Sequence, residues 1–573
     1  MTHATQSAEH TFAYGQMRLS CATRDGEARA AALGRDERVE AQPTSIVSYT
    51  SRGSVLIVGP YRTAVAAAEV LADKRLECTI VYADDGAVQA VADRPNALCA
   101  TLSALSGHLG QFRAAVATAD GNVDLARVLG RTASAFDLVL DLGTPPSLAP
   151  ELPPPGYYAT GSDDNALAHA LAALPEMVGE FEKPKYFNYN PDICAHGRSG
   201  LPGCTRCLDA CPADAIRSLR ELIEVDPYLC QGGGGCATAC PTGAITYAYP
   251  PASDLLGYIR RTLKAYLDAG GSRPCLLFHD DEAGREQVER LGARLPEWVI
   301  PLQVEEIGAV GLDAWLSALA FGAEQVALLA TPALPQAIRR ETTHQLAVAH
   351  ALLEGLGYDP KRLRLLGPDE DQALVNALGN VPAQATIQRA SFATHDEKRN
   401  TLRMALDHLY EQAPRPIDVA PLPAGAPFGE ITVDREKCTL CMACTSVCPA
   451  SAVMAGGDKP QLRFIEWNCV QCGLCEVACP EEAITLNPRI VYAPELRNRQ
   501  RVLNEQQPFC CVNCGKPFAT RSMMHKMTAK LKGHWMFQDP QSIRRIQMCE
   551  DCRVRDLFAS EPAPDVHNKP RAQ

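Results

Sequence analysis

The chain has no excess of positive charge and no uninterrupted apolar run of membrane-spanning length. Its 573 residues carry a formal net charge of −12. This argues against nucleic acid as a partner, because phosphate binding needs a basic surface. The most apolar stretch, 307–334, is interrupted by Asp313, Glu324 and Gln325, so no membrane span is predicted. The first residues lack a basic segment followed by an apolar one, so no signal peptide is expected either.

Signatures of catalysis are also missing. No nucleophile, acid–base pair or substrate pocket is recognisable, so we do not expect catalysis by this chain alone. A β-α-β pattern begins at Gly53, with Gly59 ending its first strand and Asp84 its second. The dinucleotide fingerprint nevertheless fails, because Tyr61 stands where a glycine should let a pyrophosphate approach the backbone. We expect a structural Rossmann-like domain here, with flavin or nicotinamide binding as the alternative.

Cysteine, by contrast, is abundant. The 24 cysteines fall mostly in metal-type clusters, which implies a reducing compartment and a cytoplasmic protein. The clearest motif is CTLCMACTSVCP followed by CVQCGLCEVACP between 438 and 480. Each half is C-x2-C-x2-C-x3-C-P, the ferredoxin pattern in which the fourth cysteine binds the cluster of the other half. A zinc site or a disulfide framework is the alternative, but zinc sites come as paired C-x2-C.

This exchange rule predicts two complete [4Fe–4S] sites in the second module. One comprises Cys438, Cys441, Cys444 and Cys479, and the other Cys469, Cys472, Cys475 and Cys448. The prolines at 449 and 480 favour an extended fourth cysteine, which turns it away from its own triplet.

Two further copies of the motif lie between 194 and 241. The first has an insertion, AHGRSGLPG, and the second, CQGGGGCATACP, has Gly233 where a cysteine belongs. The same rule predicts a complete site on Cys194, Cys204, Cys207 and Cys240, and a site one thiolate short on Cys230, Cys236 and Cys211. We expect a [3Fe–4S] or oxygen-labile [4Fe–4S] cluster at the incomplete site. The alternatives are an empty site, or a decayed module without clusters. After each Cys-Pro, the small residues ADAI, TGAI, ASAV and EEAI suggest a short helix against the cluster.

Two C-x2-C pairs near the carboxyl terminus predict one tetrahedral metal site. Its ligands would be Cys511, Cys514, Cys549 and Cys552. Zinc with a structural role is our interpretation, since four protein thiolates leave no open position, and a rubredoxin-like iron is the alternative. Cys510 is then an extra cysteine. It falls outside the motifs, together with Cys21, Cys78, Cys99 and Cys275.

The fold class expected is multidomain α/β plus α+β. It would contain two dicluster ferredoxin-like modules, two Rossmann-like or doubly wound α/β domains and a zinc-ribbon-like element. In chain order we predict a disordered tail over 1–48, a degenerate Rossmann-like domain over 49–160, a helical connector over 161–185, a first dicluster module over 186–250, an α/β domain over 251–395, a Pro-rich linker over 396–427, a second dicluster module over 428–492, a zinc-ribbon-like region over 493–562 and a tail over 563–573.

On these residues the chain resembles the multidomain 4Fe–4S ferredoxin-type proteins of proteobacteria. Those proteins are found beside formate dehydrogenase subunits and their maturation chaperone. The resemblance is strongest over HGRSGLPGCTRCLDACPADAI, CTLCMACTSVCP, PQLRFIEWNCVQCGLCEVACPEEAITL and RVLNEQQPFCCVNCGKPF. The segment 273–331 is similar to the delta subunit of methyl-viologen-reducing hydrogenase, although the cluster cysteines of that subunit are absent here.

The resemblance implies electron transfer with a redox protein partner, with formate dehydrogenase or its maturation proteins as candidates. Our leading hypothesis is an electron-transfer protein with up to four clusters. The alternatives are an assembly or maturation factor with structural or sensory clusters, and an oxidoreductase subunit that binds a flavin in its amino-terminal domain.

Overall fold

The computed structural model forms two compact units and describes residues 11–34, 41–83, 96–118, 121–367, 370–379, 386–393, 397–457 and 459–559. The first unit combines Met1–Pro191 with Thr205–Arg415, and the second combines Asp192–Cys204 with Pro416–Gln573. The predicted tail 563–573 and Asp84 lie outside the described residues. Within the described ranges, no helix has the length and apolar character needed to cross a membrane.

The first unit begins with a five-stranded parallel sheet, called here the amino-terminal sheet. Its spatial order is Tyr157–Ala159, Leu138–Asp141, Ser54–Val58, Glu77–Tyr82 and Ala97–Cys99. Ser54–Val58 is central and carries a run of apolar residues because both faces of a parallel strand are covered. One face packs against the helices Tyr61–Ala72 and Asp164–Ala173.

The opposite face of this sheet is covered by an antiparallel sheet, whereas in a doubly wound fold helices would cover it. On that face, Leu56 and Val139 share a hydrophobic core with Phe112 and Val116. Val116 lies in a strand of an antiparallel sheet, and Phe112 directly precedes this strand. The strands of that sheet are Leu102–Ser106, Arg113–Thr118 and Gly121–Asp124, and the helix Leu125–Val128 follows. The sequence predicted the β-α-β unit that begins at Gly53 but not this antiparallel layer.

The predicted disordered tail over 1–48 is folded wherever the structure describes it up to residue 34. Thr11–Tyr14 and Met17–Ser20 form a hairpin, and Arg24–Leu33 is a helix. Arg29 is fully buried and donates hydrogen bonds to the carbonyl oxygens of Pro296 at 2.9 Å and Val299 at 3.0 Å. A buried arginine contributes nothing to an apolar periodicity, which is why the polar sequence was misleading.

The predicted helical connector over 161–185 is helical only in its first half. After the helix Asp164–Ala173 and the 3-10 turn Leu174–Met177, the chain becomes a strand, Gly179–Pro184. This strand pairs with Ile46–Ser51 in antiparallel register. Pairing with a distant strand overrides the local preference of these residues.

The 251–395 region forms a four-stranded parallel sheet, called here the middle sheet, with the order Val299–Gln303, Cys275–His279, Gln325–Leu329 and Leu363–Leu366. The associated helices are Ala252–Asp268, Ala283–Leu291, Leu312–Ala320, Gln336–Leu356 and Asp371–Gly379, with 3-10 turns at Gly292–Arg294, Ile307–Ala309 and Pro360–Arg362. Alternation of strands and helices at this spacing was predicted, and Cys275 is a core residue, 1% exposed.

The predicted Pro-rich linker over 396–427 contains a packed helix, Lys398–Glu411. Its apolar face is buried, with Leu402, Leu406 and Leu409 at most 2% exposed. The ammonium of Lys398 donates to the carbonyl oxygens of Ala237 at 2.9 Å and Cys240 at 3.0 Å. A cation suits the last carbonyl oxygens of a short helix, so this helix supports the first module instead of only spacing two domains.

The first unit also contains the short elements that surround the cysteines 207 to 240. The strand pairs are Phe187–Tyr189 with Ile245–Tyr247 and Ile216–Ser218 with Ile223–Val225, and the helices are Arg206–Asp209 and Gly235–Ala239. The 3-10 turn Pro191–Ile193 follows Phe187–Tyr189 along the chain.

The second unit is built from small antiparallel sheets. Its strands are Gly197–Arg198 with Leu201–Pro202; Val419–Pro421, Ile484–Val491 and Gly429–Val433; Val453–Ala455, Gln461–Phe464 and Arg501–Glu505; and Pro508–Cys510 with Pro517–Thr520. Its helices are Ala443–Val447, Leu474–Val477, Pro494–Arg497, Arg521–Leu531, Pro540–Ile546 and Glu550–Ala559, with 3-10 turns at Glu466–Asn468 and Trp535–Phe537.

Candidate iron–sulfur and metal sites

The cysteine loops of the second module share one backbone conformation. Leu440 and Met442, on either side of Cys441, have φ of 55° and 64°. In the sister loop, Gln471 and Gly473 have φ of 53° and 84° around Cys472. Left-handed residues alternating with right-handed ones curl the chain so that successive N–H groups point to one centre, which favours an anion such as a cluster.

The structure brings together the first predicted set of ligands. Cys438, Cys441, Cys444 and Cys479 line one cavity of about 340 Å³, with Leu462 among its apolar walls. Burial, with the neighbouring thiols, raises the pKa of Cys444 to about 12. The Cys444 thiol therefore stays protonated unless a cation binds, and cluster binding would release its proton.

The second predicted set also lies together. Burial raises the pKa of Cys472 to about 12, and the charges of Cys448 and Cys469 add to the effect. Burial likewise raises the pKa of Cys475, with contributions from the same cysteines. These contributions place the four thiols near one another, as ligands of one cubane must be.

One ligand of this second set accepts a side-chain hydrogen bond. The amide Nε2 of Gln471 donates to Cys469 Sγ at 3.2 Å and to the carbonyl oxygen of Glu430 at 3.0 Å. Gln471 is 8% exposed. Leu440 occupies the corresponding position of the sister loop and has no polar side-chain atom. The two predicted sites of the module are therefore electrostatically different.

The fourth cysteine of each loop is held by the backbone that follows it. Cys448 is extended, with φ −77° and ψ 109°, as predicted from the following proline. Its Sγ accepts the N–H of Ala452 at 3.2 Å, and Cys479 Sγ accepts that of Ala483 at 3.3 Å. These hydrogen bonds lie on the sulfur atoms that would bind iron.

The prediction of a short helix after each Cys-Pro is wrong. The residues three positions after the fourth cysteines all have positive φ, between 48° and 79°, namely Asp214, Gly243, Ser451 and Glu482. A left-handed residue ends any helix at once, so the chain turns and enters a strand. The small alanine that follows instead brings its N–H to the cysteine sulfur in three of the four copies.

The loop with Gly233 keeps the cluster-binding backbone although it lacks the thiol. Gly232 and Gly234 have φ of 82° and 74°, matching the residues that flank Cys441 and Cys472. A Cβ built on Gly233 would lie 2.8 Å from Ile338 Cδ1. The position therefore has the shape of a ligand site, and Ile338 occupies the space next to it.

The three remaining thiols of this site line one cavity. Cys211, Cys230 and Cys236 surround a space of about 430 Å³. Burial raises the pKa of Cys236 well above its usual range, and the charges of Cys230, Cys211 and Cys207 raise it further. Cys211 Sγ accepts the N–H of Ala215 at 3.3 Å. The donor set of three thiolates in an enclosed cavity fits a three-thiolate cluster.

The remaining predicted set is divided between the two units. Cys207 and Cys240 lie in the first unit and are 9% and 7% exposed, whereas Cys194 and Cys204 belong to the second unit. Within the second unit, the charge of Cys204 contributes to the raised pKa of Cys472. Sequence reasoning missed this proximity of Cys204 to the second module.

The insertion of the first copy explains the position of Cys204. It forms the hairpin Gly197–Arg198 with Leu201–Pro202. A Cβ on Gly203 would lie 2.8 Å from Leu474 Cγ, so the glycine permits close contact with the helix Leu474–Val477. His196 Nδ1 lies 2.9 Å from the carbonyl oxygen of Cys204. The insertion therefore packs on the second module.

The carboxyl-terminal cysteine pairs form one compact group. The Sγ atoms of Cys511, Cys514, Cys549 and Cys552 all lie within 4.8 Å of one another, and those of Cys514 and Cys549 are 3.6 Å apart. A Zn–S bond of ~2.3 Å in a tetrahedron gives S–S separations of about 3.8 Å. The group has the dimensions of a mononuclear tetrahedral site, as the spacing predicted.

Different elements carry the two pairs. The first pair lies in the hairpin loop between Pro508–Cys510 and Pro517–Thr520, where Gly515 has φ 76°. The second pair begins the helix Glu550–Ala559 instead of a second hairpin, which departs from the ribbon that we predicted. Burial raises the pKa of Cys511, but backbone hydrogen bonds from Cys549, Cys514 and Asn513 outweigh it, and the pKa falls to about 6. These donors favour the thiolate of Cys511, whereas hydrogen bonds with the neighbouring cysteines raise the pKa of Cys514 to about 12.

The amino-terminal sheet does not present an open nucleotide loop at Gly59. This glycine has φ 143°, and a Cβ on it would lie 2.6 Å from Leu142 Cβ. Tyr61 is 8% exposed and begins the helix Tyr61–Ala72. Gly59 therefore serves the close packing of two strand ends, which agrees with a structural domain.

Two sequence models of iron–sulfur domains match the chain. The 4Fe-4S dicluster domain matches residues 437–484, and the 4Fe-4S binding domain matches residues 223–246. The matches contain the second module and the Gly233 loop, so the prediction of ferredoxin-type domains is confirmed. The resemblance to hydrogenase delta subunits and to formate-dehydrogenase-associated proteins stays a prediction.

Curated relatives share the cysteine-rich regions. The chain is 28% identical over 119 residues to NADH-quinone oxidoreductase subunit I 2 of Geobacter metallireducens, covering 18% of this chain and 86% of that protein. It is 36% identical over 61 residues to pyruvate synthase subunit PorD of Thermotoga maritima, covering 11% and 61%. It is 30% identical over 86 residues to ferredoxin-type protein NapH of Haemophilus influenzae, and the match covers 13% of this chain and 30% of that protein. The chain therefore carries 4Fe–4S ferredoxin-type domains within a larger α/β protein.

Proposed function

We propose that this chain is an iron–sulfur electron-transfer protein that carries up to four clusters and relays electrons to or from a partner oxidoreductase. The observation that carries the proposal is a pair of preformed cysteine cavities, one lined by Cys438, Cys441, Cys444 and Cys479 and the other by Cys211, Cys230 and Cys236. A cubane cluster supplies reversible one-electron chemistry when it is bound.

The residues around each cavity have three tasks. The thiolates hold the iron, as at Cys438 and Cys479. Apolar side chains such as Leu462 exclude water, and N–H groups such as that of Ala452 donate to ligand sulfur. Burial, hydrogen bonding and net charge are the levers by which a protein sets the potential of such a site.

Cys204 and Cys472 lie near one another within the second unit, since the charge of Cys204 contributes to the raised pKa of the Cys472 thiol. We assign Cys204 to a cluster of the first module and Cys472 to one of the second. The hairpin 197–202 serves to hold Cys204 in this position.

The finer parts of the proposal concern the scaffold, the metal and the partner. The two parallel sheets would act as Rossmann-like scaffolds without a nucleotide. The carboxyl-terminal thiols would hold a structural zinc, since all four positions are taken by protein. The partner would be a redox protein of the formate dehydrogenase type or one of its maturation proteins, as the sequence resemblance implies.

A reduction and transfer experiment tests the function. Anaerobic protein is reduced with dithionite and mixed with candidate partners that co-purify with the tagged native chain. Rapid, reversible bleaching with electron transfer to a partner is expected, and Cys472→Ser should slow the transfer. Cys99→Ser is the matched control, because Cys99 is exposed and outside every motif. Clusters that move intact to an apo-protein, without electron transfer, would contradict the proposal and favour an assembly factor.

A further inference from the structure

The first unit contains a cleft that none of the cysteine motifs explains. It encloses about 960 Å³, including its open mouth, and lies where the edge strand Val299–Gln303 of the middle sheet ends. Ligands of open parallel sheets bind outside the carboxyl ends of the strands. Three tyrosines, Tyr14, Tyr247 and Tyr258, line the cleft together with aliphatic side chains. The aromatic and aliphatic lining suits a small organic molecule.

Tyr247 has an unusual position in this cleft. It is 9% exposed, and its hydroxyl has no hydrogen-bond partner among the residues that the structure describes. Leaving a buried hydroxyl unpaired costs ~1–3 kcal/mol. Tyrosine hydroxyls in protein cores normally find a partner, so an acceptor atom from a bound molecule would remove this cost.

The same side chain also lines the cavity of the three thiols. Tyr247 is a wall of the space around Cys211, Cys230 and Cys236. Its ring stacks on that of Tyr186, with centroids 6.3 Å apart. A Cβ on Gly232 would lie 2.9 Å from the Tyr186 ring, so this stack rests directly on the cysteine loop. A molecule in the cleft is therefore separated from the three-thiol cavity by one side chain.

The charges of the cleft restrict what can bind. Glu305 and Asp313 line it. Burial raises the pKa of the Tyr247 hydroxyl, and the nearby carboxylate of Glu306 raises it further. Burial, with neighbouring acids, raises the pKa of Glu306 to about 7. A phosphate or carboxylate ligand would meet these acids and be repelled. An uncharged ligand would not.

We propose that this cleft binds an uncharged aromatic carbonyl compound of the quinone class, whose oxygen accepts a hydrogen bond from Tyr247. The aromatic walls provide stacking, the Tyr247 phenol provides a directed donor, and the acids exclude anions. The place of the cleft beside the three-thiol cavity suits a redox-active ligand. Binding itself needs no cluster, whereas the use of the ligand in redox chemistry rests on the proposed function.

Calorimetric titration of the full-length protein with duroquinone tests the proposal. Duroquinone is fully substituted and does not add to thiols. We expect saturable binding at one site, about tenfold weaker binding in Tyr247→Phe, and loss of binding in Ala252→Phe, which fills the cleft. Tyr249→Phe is the control, because Tyr249 lies beside Tyr186 and outside the cleft lining. Anthraquinone sulfonate should bind more tightly to Glu305→Gln than to the native chain.

Three results would overturn this inference. The first is that duroquinone shows no saturable binding, and the second is that the native chain and both the Tyr247→Phe and Ala252→Phe variants bind it equally well. The third is that Tyr247→Phe binds duroquinone with unchanged affinity while the potential of the three-thiol site shifts. The last result would mean that the phenol serves the cluster. Dithionite reduction of the same preparations distinguishes this inference from the proposed function. Reversible bleaching without quinone binding refutes only the quinone site. Quinone binding without reversible bleaching refutes only the electron-transfer function.

Discussion

Replacing Gln471 by leucine should lower the potential of one cluster in the second module and leave its sister unchanged. The Gln471 amide donates to Cys469 Sγ at 3.2 Å in a buried environment. A reduced cluster carries one more negative charge than an oxidised one, so a donor to its ligand sulfur stabilises the reduced state and raises the potential. Leucine is the matched substitution, because Leu440 occupies the corresponding place in the sister loop.

The size of the effect follows from the hydrogen bond. A bond to a charged acceptor contributes ~1.5–3 kcal/mol, but only the difference between the two oxidation states affects the potential. If that difference is about 1 kcal/mol, the shift is about −40 mV, because a tenfold change in equilibrium corresponds to ~59 mV for one electron. The substitution also leaves the carbonyl oxygen of Glu430 without this donor, so stability should fall by about 1 kcal/mol.

A potentiometric titration followed by electron paramagnetic resonance measures both clusters of the module. Gln506→Leu is the control, because Gln506 donates to the carbonyl oxygen of Cys438 at 3.0 Å and not to a ligand sulfur. Its midpoint potentials should match those of the native protein. The reasoning fails if Gln471→Leu retains its iron and both midpoint potentials stay where they were, or if the control shifts by the same amount.

Four further variants test the cysteine sites. Cys441→Ala and Cys472→Ala should each remove one cluster and destabilise the module, because cluster binding contributes to folding; unchanged iron content in both would refute the ligand sets. Metal analysis should find one zinc that is lost in Cys549→Ser, and a rubredoxin-like spectrum without zinc would contradict this. Air-oxidised protein should show a three-iron resonance that disappears in the double variant Gly233→Cys with Ile338→Val. The second substitution relieves the 2.8 Å contact between a Cβ at position 233 and Ile338. An iron content that matches only three clusters, without this resonance, would contradict the prediction.

Patterns that act through neighbouring residues could be predicted from the sequence. The spacing of Cys438 to Cys444 predicts a loop around a cluster, because consecutive residues alone form the curl. The alternation of strands and helices over 251–395 predicted the middle sheet for a similar reason. Both are local consequences of residue order, and the matches to iron–sulfur domains agree with the first.

Other features depend on contacts between distant residues. Arg29 is buried because it meets carbonyl oxygens some 270 positions later, so the segment around it read as a disordered tail. The helix Lys398–Glu411 was not predicted within its Pro-rich stretch, because contacts with distant residues stabilise it as well. The antiparallel layer on the amino-terminal sheet, likewise, is specified by its apolar partners and not by its own composition.

Candidate iron ligands could be predicted from the chain alone, because ligand spacing is a property of a few adjacent residues. Where those thiols lie depends on the tertiary structure. It placed Cys204 beside the second module, set Ile338 against Gly233, and assembled the cleft around Tyr247 from residues as far apart as Tyr14 and Asp313. Such contacts arise from the packing of whole elements, whose energy is spread over many weak interactions and leaves no short motif in the chain.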